Sequence, residues 1–174
     1  VFNKCVNMIN SFKQYFFSHN QECYENPSPG NHDGGITTLE EKSLGCIQKG
    51  GKAVITDVLE YGEHCKKQGL NLLTGPGNDI VSTTNLTAAG ANIILFTTGR
   101  GTPLGASVPT IKVSSNSRLA KRKSNWIDFN AGELIESNDF ENMTEEIFKL
   151  LTDIASGRQT KNEQNGYRDI SIFK

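Results

Sequence analysis

The run Thr97-Thr98-Gly99-Arg100-Gly101-Thr102-Pro103 sets an arginine between two glycines and surrounds it with hydroxyls. Glycine lets a backbone approach a ligand closely. Threonine hydroxyls can hydrogen-bond it, and a guanidinium can grip a carboxylate through two parallel N–H bonds. A tight turn would account for the glycines, but not for an arginine placed between them. A second loop, Thr74-Gly75-Pro76-Gly77-Asn78-Asp79, leads into a predicted helix start. The exposed amides and dipole of such a start favour an anion, although a turn that needs glycine explains this loop equally well. Neither loop fits the dinucleotide-binding glycine pattern or a P-loop, so a nucleotide ligand is disfavoured.

A third segment, residues 26–42, is a proline- and glycine-punctuated loop followed by Thr38-Leu39-Glu40-Glu41-Lys42. Thr38 and Glu41 have the spacing of a capping box, so Glu41 is either a cap partner or a proton-handling carboxylate. Lys42 in a first helical turn opposes the macrodipole and is a candidate base, or a cation that holds a carboxylate. His32, in Gly30-Asn31-His32-Asp33-Gly34, is a candidate metal ligand or proton carrier, with a solvated loop histidine as the alternative. His19 and His64 sit in polar surroundings and read as surface residues, whereas Trp126 and the other aromatics read as core.

These candidates must be carried by regular elements. Phe2, Cys5, Val6, Ile9, Phe12 and Phe16 recur at helical spacing, which predicts an amphipathic helix over 2–17. Residues 20–37 are expected as loop, and a helix from Thr38 should run to Lys49 and stop at Gly50-Gly51. Strands are expected over 53–59, 70–73, 92–97, 110–113 and 126–129. Helices are expected from Asn78 or Asp79 to Gly90, over 117–123, and from Asn142 or Thr144 to Ala155. Residues 158–168 read as irregular, with a possible edge strand over 170–173. The alternation predicts an α/β fold: a three-layer sandwich around a mainly parallel, Rossmann-like sheet, with ligands at the carboxyl ends of the strands.

The 174 residues suffice for one domain with a sizeable core, and a net charge of −1 gives no footprint for nucleic acid or an anionic membrane. The basic run Lys121-Arg122-Lys123 reads as a solvated helix face. No apolar stretch approaches the roughly 20 residues that span a bilayer. Cys5, Cys23, Cys46 and Cys65 contain no C-x-x-C pair, so free thiols and a cytoplasmic location are expected. The opening Val1-Phe2-Asn3-Lys4 reads as the interior of a helix cut from something longer.

Several long segments, in order, resemble the altronate/galactarate dehydratase family. They are Glu25-Asn26-Pro27-Ser28-Pro29-Gly30-Asn31, Gly34 to Gly45, Gly75-Pro76-Gly77-Asn78-Asp79, Phe96 to Pro103, Ile111-Lys112-Val113-Ser114-Ser115-Asn116 and Ile127 to Gly132. Ala155-Ser156-Gly157-Arg158, with Thr160, Asn162 and Glu163, is similar too. The resemblance runs from about residue 24 to the end and is closer to altronate than to galactarate dehydratase. It implies that the chain is a single carboxy-terminal domain, with 1–20 a helix from the preceding region and 21–174 the α/β part.

The family's reaction is a β-elimination: a proton leaves the carbon beside a carboxylate and hydroxide leaves its neighbour, giving a 2-keto-3-deoxy sugar acid. The resemblance further implies a divalent metal, Fe2+ with Mn2+ as the alternative, and partners in the missing amino-terminal and central domains. A homodimer is also possible. On this reading Arg100 and the amides around Gly99 and Gly101 hold the substrate carboxylate, while Thr97, Thr98 and Thr102, with Asn31, Asn78 and Asp79, contact the rest. Lys42 or Glu41 would move a proton, and the metal ligands would lie mainly upstream, so the fragment alone is expected to be inactive. Two other readings stand beside it: a sulfolactate sulfo-lyase-like enzyme, and a non-catalytic domain that binds a small anion or mediates assembly.

Overall fold

A computed structural model describes residues 1–21 and 27–173. Cys23 and the Glu25-Asn26 pair that opens one of the resembling runs lie outside the described residues. The chain divides into two compact units, the first made of Val1–Glu60 with Cys65–Thr74, and the second of Tyr61–His64 with Gly75–Lys174.

The first unit carries α1 (Phe2–Ser18), α2 (Pro29–Asp33), α3 (Leu39–Lys49), β1 (Ile55–Leu59) and β2 (Leu70–Leu73). β1 and β2 pair in parallel, with an irregularity between Ile55 and Asp57. Thr56 fills the break, its hydroxyl donating to the Leu70 carbonyl at 3.1 Å. Asp57 gathers Lys4 at 3.2 Å and Lys67 at 2.9 Å. These two cations and the Val58 amide hold its carboxyl far below the usual carboxylate range. α1 extends over the expected span, yet none of its residues is buried, and Phe2 and Phe17 are exposed. α2 lies in the segment expected to be loop. Its start is set by Pro29, pre-shaped for a first helical position, and by Asn31 Oδ1, which accepts from the Ser28 amide at 3.1 Å and hydroxyl at 3.0 Å.

The second unit holds α4 (Asp79–Ala88), β3 (Ile94–Thr98), β4 (Thr110–Ser114), α5 (Ser117–Arg122), β5 (Phe129–Asn130), a 3-10 turn (Ala131–Glu133), α6 (Leu134–Ser137), α7 (Phe140–Ala155) and α8 (Lys161–Gln164). β3, β4 and β5 form a parallel sheet in that order. Every residue of β4 is buried. One face of β4 presents Ile111 and Val113, which cluster with Ile154 and are flanked by Ile147, Leu150 and Leu151 of α7. Those four α7 residues recur at i, i+3, i+4 and i+7, so the helix meets the strand along a single stripe. Full burial of Ile111 alone contributes roughly 2–3 kcal/mol.

Parallel pairing throughout agrees with the expected α/β class, but the strands are divided between a two-stranded and a three-stranded sheet. Other boundaries move for local reasons. β5 is confined to Phe129–Asn130 because the Trp126 and Ile127 amides both donate to the Lys123 carbonyl and form a turn. Trp126 is half-buried rather than core, with the Lys123 ammonium 4.3 Å above its ring. α7 starts before Asn142, capped by Asp139, whose carboxylate accepts from the Asn142 amide at 3.1 Å. α8 interrupts the stretch expected to be irregular, under a capping box of Thr160 and Glu163, and residues 170–173 form no strand.

Gly132 packs against the backbone of Asn116 and Ser117, so a Cβ at this position would collide with both. Gly132→Ala is expected to lower stability by about 3 kcal/mol, read as a lower urea midpoint with an unchanged m-value.

Candidate functional site

In the second unit, three loops meet at the carboxyl ends of β3, β4 and β5. Thr98 closes β3, and its carbonyl accepts from the Ser115 amide at 3.0 Å. Its hydroxyl oxygen accepts from the Gly101 amide at 2.9 Å, which folds the chain back on itself. That fold puts Gly101 at φ +81 with Leu119 against its α-carbon, a conformation that glycine adopts without strain. The Asn116 side-chain amide donates to the Gly99 carbonyl at 3.0 Å, while its oxygen caps α5 through the Leu119 amide at 2.8 Å. The Asn130 amide group reaches Ser117 at 3.1 Å and Glu133 at 2.8 Å, tying in the third loop.

On this scaffold Arg100 is exposed, and its guanidinium has no hydrogen-bond or ion-pair partner among the described residues. Thr97 and Gly99 are exposed, and Thr98, Gly101 and Thr102 are half-buried. These candidates therefore share one loop, hydrogen-bonded at its base and exposed at the arginine. Asn78 and Asp79 lie in the same unit but serve the start of α4. Asn78 Oδ1 accepts from the Ile80 amide at 3.1 Å and the Val81 amide at 3.3 Å, and Asp79 stands in the first turn.

In the first unit, Lys42 Nζ donates to Asn31 Oδ1 at 3.2 Å, which brings two of the candidates together. Glu41 is the cap partner. Its Oε2 accepts from the Thr37 amide at 2.8 Å, the Thr37 hydroxyl at 3.1 Å and the Thr38 amide at 3.2 Å. These bonds hold its carboxyl below the ordinary 4.5, which makes it a poorer base. His32 is exposed on α2. Among the described residues, no three His, Cys, Asp or Glu side chains come together as a metal cage, so these residues alone do not make up the expected metal site. Cys5 and Cys46 are free thiols, as expected, the Cys65 thiol donates to the Lys67 carbonyl at 3.4 Å, and no described helix is long and apolar enough to cross a membrane.

One residue escaped the sequence reading. Lys112, in the middle of β4, has no exposed surface. Its ammonium donates to the Thr102 carbonyl, and burial pushes its pKa down to about 8 against the opposing pull of Asp128 and Asp169. The available signal was a lysine flanked by strand-forming apolar residues, which is easily read as an outward-facing position.

The sequence model of the family described as D-galactarate/altronate dehydratase, C-terminal, matches residues 1–174. The match thus begins at residue 1 rather than near residue 24, and α1 is inside it. Altronate dehydratase of Escherichia coli (strain K12) is 56% identical over 173 residues, 99% of this chain and 35% of that protein. Altronate dehydratase of Bacillus subtilis (strain 168) is 53% identical over 175 residues, 100% of this chain and 35% of that protein. Galactarate dehydratase (L-threo-forming) of Escherichia coli (strain K12) is 39% identical over 152 residues, 85% of this chain and 29% of that protein. The chain spans about a third of the length of these relatives.

The Glu41 cap has a testable pH signature. A carboxyl whose folded pKa lies below 4.5 adds stability above that value and loses it as the pH falls through the folded pKa. The stability difference between the parent protein and Glu41→Gln should therefore shrink from about pH 6 to about pH 3, as measured by urea midpoints at each pH.

Proposed function

The chain belongs to the D-galactarate/altronate dehydratase family, in its C-terminal region, and from that premise we propose that it is the substrate-carboxylate-binding part of a sugar-acid hydro-lyase. The intact enzyme converts a D-altronate-type acid to a 2-keto-3-deoxy sugar acid. The observation that carries this reading is the exposed Arg100 guanidinium, without a partner among the described residues, on a loop whose glycines and threonines are anchored from beneath.

The chemistry asks for such a loop. Removing a proton beside a carboxylate piles negative charge onto that carboxylate, so a fixed cation and oriented donors stabilise the transition state more than the ground state. Arg100 supplies the cation, and the amides of the glycine loop can donate to a second oxygen. The Thr98 hydroxyl, whose oxygen already accepts from Gly101, keeps its proton for a substrate hydroxyl. Lys42, steadied by Asn31, is the proposed proton-handling group, while Glu41 keeps its capping role. The divalent metal of this proposal, Fe2+ or Mn2+, would take its ligands mainly from the remainder of the longer protein. That remainder would also complete a three-layer, Rossmann-like body around the three-stranded sheet.

The direct test uses the full-length enzyme with D-altronate and follows formation of the 2-keto-3-deoxy acid. Arg100→Ala should raise KM by about 10–100-fold, the worth of a lost charge-assisted hydrogen bond. An unchanged KM and kcat would remove the carboxylate assignment, and release of sulfite from sulfolactate would point to a sulfo-lyase instead. Lys42→Ala should lower kcat by about 100-fold with a smaller change in KM. A wild-type kcat in that variant excludes Lys42 from proton transfer.

A further inference from the structure

We propose that Lys112 is a positioning residue for the substrate loop: its buried ammonium holds the Thr102 carbonyl, and so fixes the loop that presents Arg100. This inference rests on the reading of that loop as the substrate-carboxylate site.

Lysine is almost never fully buried unless its charge is matched, yet Lys112 has no exposed surface and stands in a strand buried along its whole length. An apolar side chain would be cheaper to enclose there, because the charge must be stripped of water. Among the described residues the Lys112 ammonium has no ion pair: the two carboxylates that face it accept from backbone amides. Asp128 Oδ2 accepts from the Lys112 backbone amide at 2.8 Å, and Asp128 Oδ1 from the Lys161 amide at 2.8 Å. Asp169 Oδ2 accepts from the Gly105 amide at 3.3 Å. They lend field to the ammonium without a hydrogen bond to it, and the ring of Trp126, itself under Lys123, lies 6.0 Å from the Lys112 ammonium. The ammonium's own hydrogen bond goes to the carbonyl of Thr102, two residues past Arg100.

A neutral donor could have tethered a loop. A cation also raises the local positive potential beneath a loop meant for an anion, and its bond to a carbonyl is stronger than a neutral one. Burial brings the loss of that charge to about pH 8, so the grip should weaken in mildly alkaline solution, where an arginine keeps its charge.

The test compares steady-state kinetics of the full-length, metal-loaded enzyme with D-altronate from about pH 7 to about pH 9.5. The wild-type KM should rise roughly tenfold across this range, with kcat changing less. Lys112→Met should show a KM raised by about tenfold or more at neutral pH and flat thereafter, with Lys112→Gln, which keeps a neutral donor, in between. A wild-type KM in Lys112→Met overturns the proposal, as does a raised KM that keeps the parent's pH dependence. If Lys112→Met does not accumulate, the wild-type profile decides: a rise centred near pH 8 supports the role, and a flat KM overturns it. Arg100→Ala separates the two levels. If it raises KM while Lys112→Met does not, only the positioning role falls; if it leaves KM unchanged, the loop assignment falls and takes this inference with it.

Discussion

The second unit is organised by the alternation of β4, a strand buried on both faces that is apolar on only one. Ile111 and Val113 meet α7 in the ordinary way, while Thr110, Lys112 and Ser114 line the other face with no exposed surface to speak of. Buried polar groups cost free energy unless they are bonded, and each of these three spends its bonds on a loop. The Thr110 hydroxyl donates to the Val108 carbonyl and accepts from the Ala106 amide. Lys112 holds Thr102, and the Ser114 hydroxyl donates to the Asn116 carbonyl at 2.6 Å. One strand thus sets the course of the chain both before and after it, and the arginine loop inherits its shape from that face.

The same logic explains why the site combines rigidity with openness. Backbone groups near the loop base are satisfied by Thr98 and Asn116, so there is little for the chain to gain by rearranging there. The guanidinium of Arg100 is left exposed beside Thr97 and Gly99. An enzyme that stabilises a growing negative charge benefits from donors that need no reorganisation when the charge arrives.

Much of this was legible in the residues because it is local. The Thr38–Glu41 capping box predicted a helix start that the structure reproduces, and of the two cap candidates Asn78 and Asp79 it is Asn78 that caps α4; the apolar runs marked β3 and β4 to within two residues. The glycines and threonines around Arg100 marked a loop after β3, and the structure places one there, with Gly101 at positive φ. Three kinds of information were not local. The division of five strands between two sheets depends on pairing across the chain. Trp126 left the core because the end of α5 turns under it. Lys112 was invisible because a single lysine on an apolar strand gives no sign of which partner waits inside. α2 and α8 were missed for a simpler reason, since Ser28 with Asn31 and Thr160 with Glu163 carried capping signals that went unread.

The tail that follows α7 returns to the sheet. The Asn162 side chain donates to the Thr110 carbonyl at 2.9 Å, and the Asp169 amide to the Gly105 carbonyl at 2.6 Å. Gly105 and Asp169 are 64 residues apart. At about 5–20 residues per second, a ribosome needs roughly 3–13 s to bring the second of them into being after the first. During that interval the nascent polypeptide already carries its arginine but lacks the brace beneath the neighbouring turn. The turn at Gly105 therefore stays unbraced until Asp169 has been made, and a translation product that stops short of that residue would carry the arginine loop beside an unfinished support.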